Sequence, residues 1–221
     1  KYARHNDLGT ACLLAAMHGS GCRRLVLASS MVVYGRGRFR APDGSRVDVP
    51  PPRRREDLDA RRFEHYLTSG EPITYALTDE DAPLTPTSTY AASKVAQEHY
   101  ARAWATDTMG SVVALRYHNV YGPRMPRDTP YAGVASIFRS ELAAGRAPQV
   151  FEDGGQMRDL VHVADVARAN RAAIDAVLGD GIEDRFLPVN VCSRQPISIG
   201  EVARVLSARS AGIQPAITGR V

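Results

Sequence analysis

Cysteine, strong net charge and long apolar runs are scarce in this 221-residue chain, and each shortage excludes something. The three cysteines, Cys12, Cys22 and Cys192, fit neither a disulfide scaffold nor a zinc site. No metal is therefore expected, and a reduced, cytoplasmic setting is. No apolar run nears the roughly 18 residues a membrane span needs, and no secretory leader is visible. No membrane partner is expected. The 28 basic and 24 acidic residues leave a formal charge of +4. That excess is too slight to call for nucleic acid and is compatible with an anionic small molecule. Internal repeats and low-complexity segments are also missing. What remains, 44% hydrophobic and 24% charged residues, is the composition of a soluble globular protein with one sizeable core, or a domain plus a lobe. Because the first residue is Lys1 rather than Met, a cut or partial N-terminus is expected.

Apolar residues at helical spacing over 6–18 predict a helix, with Gly19 and Gly21 offering a stop. Leu25-Val26-Leu27-Ala28 is a short continuous apolar run of the kind a buried parallel strand shows. Ser29 and Ser30 stand where that strand ends, as ligand contacts or as a plain turn; ligands of open α/β sheets collect at carboxyl strand ends. Residues 36–82 break the helix–strand rhythm with Pro50-Pro51-Pro52, Arg53-Arg54-Arg55 and Arg61-Arg62. This reads as a surface insertion with a short helix around 56–66 and a solvated arginine face.

A second buried-strand pattern, residues 111–117, runs into His118-Asn119-Val120-Tyr121-Gly122-Pro123. A lone histidine at such a place is more often structural than catalytic. Residues 134–145 predict a helix, 148–151 a short strand, 165–178 a helix and 187–191 a strand. Ser198-x-x-Glu201 predicts the cap of a last helix. Arg158, beside a turn, is suited either to bidentate phosphate binding or to pairing with Asp153 or Asp159.

The stretch with most chemistry is Ser88-Thr89-Tyr90-Ala91-Ala92-Ser93-Lys94. A cap at Ser88 or Thr89 puts Tyr90 and Lys94 on one helix face, one turn apart. A free phenol titrates near pH 10, and a neighbouring cation lowers that value, which would fit Tyr90 for acid/base work. Alone, the pair reads more readily as an exposed helix face, since the spacing is common.

Taken in order, Asn6-x-x-Gly9-Thr10, Ser29-Ser30-x-x-Val33-Tyr34-Gly35, Tyr90-x-x-x-Lys94, Arg116-Tyr117-x-Asn119-Val120-Tyr121-Gly122-Pro123 and Arg158-Asp159-x-Val161-His162-Val163-x-Asp165 resemble the extended short-chain dehydrogenase/reductases. More narrowly, they resemble the nucleotide-sugar epimerases and dehydratases. The likeness covers nearly the whole chain outside 36–82. The stretches 126–133 and 153–156 look most like the bacterial dTDP-L-rhamnose 4-epimerase branch, which carries a similar insertion, often with a Cys-x-x-Cys pair that is missing here.

The resemblance implies an α/β fold: a Rossmann-like doubly wound parallel sheet, without its N-terminal part, and a small mixed substrate-binding lobe. Residues 1–130 would form the partial NAD-binding domain, with 36–82 inserted. Residues 131–221 would be mainly the substrate lobe, with 159–191 returning to the sheet. The implied activity is 4-epimerisation of a dTDP- or UDP-hexose such as dTDP-L-rhamnose. Oxidation at C4, rotation of the keto-sugar and re-reduction would invert the centre. Tyr90 would be the acid/base, Lys94 would hold the nicotinamide ribose, and Ser30 would bond the reacting oxygen. Ser29, Tyr117 and His118 would join them in holding NAD. Asn119 would touch the diphosphate, Gln149 and Phe151 would flank the base, and Arg158 would clamp the phosphates. A homodimer through the 6–18 and Tyr90 helices is expected.

Two departures refine this. Dehydratases of the family follow the catalytic Ser/Thr with an Asp-Glu pair; Met31 and Val32 stand here, which disfavours loss of water. The family's Gly-x-x-Gly-x-x-Gly turn, which receives the NAD pyrophosphate at a helix N-terminus, does not occur in the sequence. The acidic residue that selects NAD over NADP belongs to that missing part, so NADP stays open. The alternatives are a non-catalytic nucleotide-sugar-binding pseudoenzyme and a nucleotide-sugar reductase.

Overall fold

The computed structural model describes residues 2–126, 133–179, 182, 184–210 and 212–221. Within the 126–133 stretch quoted above, residues 127–132 lie outside the described residues. The chain divides into two compact units: Lys1–Arg38, Leu77–His118 and Ala164–Val191 form the first, and Phe39–Ala76, Asn119–Val163 and Cys192–Val221 the second.

Three parallel strands, β1 (Arg24–Ser30), β2 (Ser111–Tyr117) and β3 (Phe186–Val191), build the first unit, with β2 in the centre. In register, Ser30 lies opposite Tyr117, and Asn190 opposite Arg116. Val112, Val113, Ala114, Leu115 and Arg116 are all buried, as a central strand covered on both faces requires. Helices α1 (Gly9–Ser20) and α2 (Thr89–Thr108) supply Leu14, Ala101, Trp104 and Ala105 to a core with Leu27, Val112, Ala114 and Phe186. The expected stop of α1 is Gly21, at φ +76°. A third helix, α3 (Val163–Leu178), buries Ala173 and Val177. Parallel strands with flanking helices make the sheet Rossmann-like.

Two side chains of the Asn-x-x-Gly-Thr motif tie the N-terminal helical segment to α2. Asn6 Nδ2 donates to Ser93 Oγ at 2.8 Å, and Gln97 Nε2 donates to Thr10 Oγ1 at 2.7 Å. Ser93 and Gln97 are one turn apart on α2, so the motif spaces its two polar residues to match a helix pitch.

In the second unit, helix Val134–Ala143 packs on helix Ile199–Ser207, and Phe138, Val150, Ile199, Val202 and Ala203 form the core. Ser198 accepts from Glu201 N at 3.1 Å, the cap its spacing predicted. Residues 160–162 pair in parallel with 119–121, and 216–217 with 149–150.

Residues within 36–82 carry regular structure. Four short strands form one sheet in the order Arg46–Val47, Arg38–Arg40, Pro72–Ala76, His65–Tyr66. The helix expected around 56–66 is confined to Arg55–Asp59, because Arg61 adopts a left-handed φ of +58° and the chain then becomes strand. The arginines are not a uniformly solvated face. Arg54 and Arg62 both bond the buried Asp57, and Arg53 pairs with the buried Glu152.

Candidate active site

Ser88 caps α2, accepting from Ala91 N at 3.1 Å, and so starts the helix at Thr89, one residue before Tyr90. Tyr90 and Lys94 then share a face, with Lys94 Nζ 6.0 Å from the Tyr90 ring centre. Lys94 Nζ donates to Ala28 O at 2.9 Å, which anchors α2 to β1. Ser30 ends β1 and caps the short 3-10 turn Met31–Tyr34, accepting from Val32 N. The same hydroxyl lies close enough to the Tyr90 phenol to act on its pKa. Ser30, Tyr90 and Lys94 are thus brought together, although sixty residues separate the first two in sequence.

The electrostatics differ from the expectation. Burial pushes the Tyr90 phenol above its ordinary 10.0, and the Ser30 hydroxyl works against that rise. Lys94 is not among the groups that shift the phenol; its ammonium donates to Ala28 O. Burial also lowers Lys94 from its ordinary 10.5. Gly35 closes the turn at φ +67°. A Cβ there would lie 1.9 Å from Thr85 O, so the Val-Tyr-Gly motif needs its glycine for close backbone approach.

Beneath these groups lies a polar network that the sequence did not announce. Ser29 is buried and donates to Glu98 Oε1, so its hydroxyl is turned toward the interior. Arg116 bonds both Glu98 oxygens and the Tyr34 hydroxyl, and Tyr34 donates to Asn190 Oδ1 at 2.8 Å. The available signal was Glu98 itself: an acid one turn past Lys94, on the side of α2 that must meet the sheet. Tyr117 donates to Asn170 Oδ1 at 2.9 Å, and the His118 N–H bonds Val191 O.

The remaining candidates belong to the second unit. Asn119 lines a cleft of about 330 Å³ with Tyr121, Gly122, Met125, Val134 and Leu160. Asn119 Nδ2 also donates to Asp159 O. Gln149 is exposed and donates to Ala147 O, and Phe151 is 57% exposed. Neither Gln149, Phe151 nor Arg158 lines the cleft. Arg158 pairs with neither of its two candidate aspartates: Asp159 accepts from Ser193 N and Oγ, and Asp153 accepts from Gly155 N. The Arg158 guanidinium instead donates to Met157 O and to Gln156 Oε1.

A helix-borne Tyr-Lys pair and a strand-end serine on a parallel sheet define a class: short-chain dehydrogenase/reductase-like proteins. Residues 1–186 match the NAD dependent epimerase/dehydratase family, and the chain belongs to it. It is 34% identical to a dTDP-L-rhamnose 4-epimerase of Burkholderia thailandensis, over 99% of this chain and 58% of that protein. Among solved structures it is similar to the Thermotoga maritima UDP-glucose 4-epimerase with UDP-glucose, at TM-score 0.73 and 25% identity, covering 99% of this chain and 58% of that one. It is also similar to the Thermus thermophilus UDP-glucose 4-epimerase in complex with NAD, at TM-score 0.67 and 28% identity, covering 98% and 57%. The chain therefore spans under two thirds of the length of each.

Proposed function

We propose that the protein is an NAD-dependent nucleotide-sugar 4-epimerase acting on a dTDP- or UDP-hexose such as dTDP-L-rhamnose. The observation that carries this reading is the convergence of Ser30, Tyr90 and Lys94 at the carboxyl end of β1, with Met31 and Val32 rather than carboxylates following the serine. NAD, when bound, supplies reversible two-electron redox chemistry at the sugar C4. The residues present suit its nicotinamide end: a phenol, a half-buried ammonium and a serine hydroxyl meet at the carboxyl end of β1. Tyr90, Lys94, Tyr117 and His118 would hold that end, and the pyrophosphate would need residues beyond those in this sequence.

Tyr90 takes the proton from the C4 hydroxyl and later returns it. Ser30, beside the phenol, can bond the reacting oxygen. Lys94, pinned to Ala28 O, keeps α2 at a fixed distance from β1 and offers its remaining N–H groups to a ribose. No acid follows Ser30 to drive out water, so proton transfer at one oxygen is the chemistry these side chains support. Asn119 and Arg158 would bind the diphosphate, and Gln149 and Phe151 the base. A homodimer is proposed through α1 and α2, whose Leu13 and Tyr100 are exposed apolar side chains, and a cytoplasmic location is proposed with it.

The test is to incubate the full-length protein with NAD and dTDP-L-rhamnose or a UDP-hexose and follow the C4 proton by NMR. The expected result is the 4-epimer, with no net change in cofactor. Absence of both bound nicotinamide and 4-epimer would sink the reading, and net consumption of reduced cofactor would replace it with a reductase.

A further inference from the structure

Glu152 is a buried acid, 3% exposed, in a segment no motif covered. Its backbone is held on both sides: its N–H donates to Arg220 O at 2.7 Å, and its carbonyl accepts from Gly219 N at 3.1 Å. Its φ of +54° is left-handed, a conformation that non-glycine residues adopt only where the surroundings require it. A buried carboxylate must find cationic or hydrogen-bonding partners. Here the fork of Arg53 meets both oxygens at 2.9 Å, and the guanidinium also donates to Phe63 O at 3.2 Å. The Gln156 side chain lies close enough to the same carboxylate to help hold it ionised. Gln156 Oε1 accepts from Arg158 Nη2 at 3.1 Å.

These contacts form a line: Arg53, Glu152, Gln156, Arg158. The amide in the middle has one polarity that satisfies both neighbours, with its NH₂ toward the carboxylate and its oxygen toward the guanidinium. Glu152 therefore sets the orientation of Gln156, and Gln156 sets one branch of Arg158. Arg53 has a second effect. It matches the Glu152 charge, so the carboxylate does not capture Arg158. Besides Arg53, the cation that acts on Glu152 through its charge is Arg158.

We propose that Arg53 is a positioning residue for diphosphate binding: through Glu152 and Gln156 it holds the Arg158 guanidinium oriented and available for a nucleoside diphosphate. This rests on the reading that Arg158 clamps the phosphates. It gives the arginine-rich part of the 36–82 segment a task at the substrate site, by a contact wholly within the second unit.

The test is calorimetric titration of the full-length protein with UDP and with dTDP, and with uridine and thymidine by competition. Arg53→Ala is expected to weaken nucleoside diphosphate binding about tenfold and leave the nucleosides unchanged, as loss of one charge-assisted phosphate contact would. Arg53→Ala with Glu152→Gln is expected to recover binding to within about threefold, because the neutral amide no longer captures Arg158. A merely structural role for Arg53 would weaken the nucleosides along with the diphosphates, so unchanged uridine and thymidine binding separates the two roles. If Arg158→Ala weakens diphosphate binding but Arg53→Ala does not, or if the double variant shows no recovery, the relay is overturned and the clamp reading stands. If Arg158→Ala itself changes nothing, the clamp reading falls and the inference with it. Should Arg53→Ala fail to fold, Gln156→Leu interrupts the same line. It is expected to lose UDP affinity with uridine affinity kept, and unchanged UDP affinity would overturn the proposal.

Discussion

Glu98 and Arg116 face each other across the α2–β2 boundary in a two-pronged ion pair, at 3.0 and 2.8 Å, with both side chains almost fully buried. The pair also bonds Ser29 and Tyr34, so the residues immediately before and shortly after Ser30 are tied to one charge centre.

Breaking this pair from one side leaves a buried charge without its counterion. Arg116→Met is expected to cost about 3–5 kcal/mol in urea unfolding. Adding Glu98→Gln should return part of that loss, since the second charge is removed as well. A double variant as unstable as the sum of the single ones would show that the two residues act independently.

Tyr90→Phe removes the proposed proton carrier, and epimerisation is expected to fall by about 10²–10⁴. Burial raises the phenol pKa, so the active phenolate gains population as pH rises, and kcat/KM should climb on the alkaline side. The Ser30 hydroxyl lowers that pKa; Ser30→Ala should therefore move the rising limb to higher pH. A limb that moves down, or a flat profile, would assign the proton transfer elsewhere.

Gly35→Ala meets two obstacles at once: a left-handed φ of +67° and the Thr85 carbonyl 1.9 Å from the new Cβ. The backbone must shift, and a loss of at least about 2 kcal/mol is expected from thermal or urea unfolding. Gly44→Ala, at φ +84° with open space around it, should cost less, about 1 kcal/mol. Equal losses at both sites would remove the argument from close approach.

Burial would raise Glu152, but the Arg53 hydrogen bonds, the Gln156 side chain and the charges of Arg53 and Arg158 hold its carboxyl below the ordinary 4.5. Its folded pKa is thus lower than its unfolded one. The stabilisation is complete above about pH 4.5 and is lost as pH falls through the folded value. Urea unfolding between about pH 3 and 6 should show the wild type losing more stability on acidification than Glu152→Gln. Parallel curves would mean that the pair contributes nothing through its charge.

Local pattern by itself determined the strands at 25–28, 111–117 and 187–191, a cap at Ser88 or Thr89, the cap at Ser198, and the one-turn spacing of Tyr90 and Lys94. Each depends on residues a few positions apart, where an apolar run, a hydroxyl before a helix or a period of 3.6 has a direct physical meaning. The structure extends the outer strands to 24–30 and 186–191 and makes Ser88 the cap. The resemblance also placed Ser30 beside Tyr90. What the tertiary structure decided were pairings between distant residues and the burial of charge. Lys94 was expected to act on the phenol, but packing aims it at Ala28 O and burial sets the sign of the Tyr90 shift. Ser29 was read as a ligand contact, but the sheet register turns it toward Glu98. Arg53 was read as part of a solvated run, and folding carries it ninety-nine positions along the chain to Glu152. A carboxylate finds its cation only when the fold encloses both, and sequence spacing carries no record of that distance.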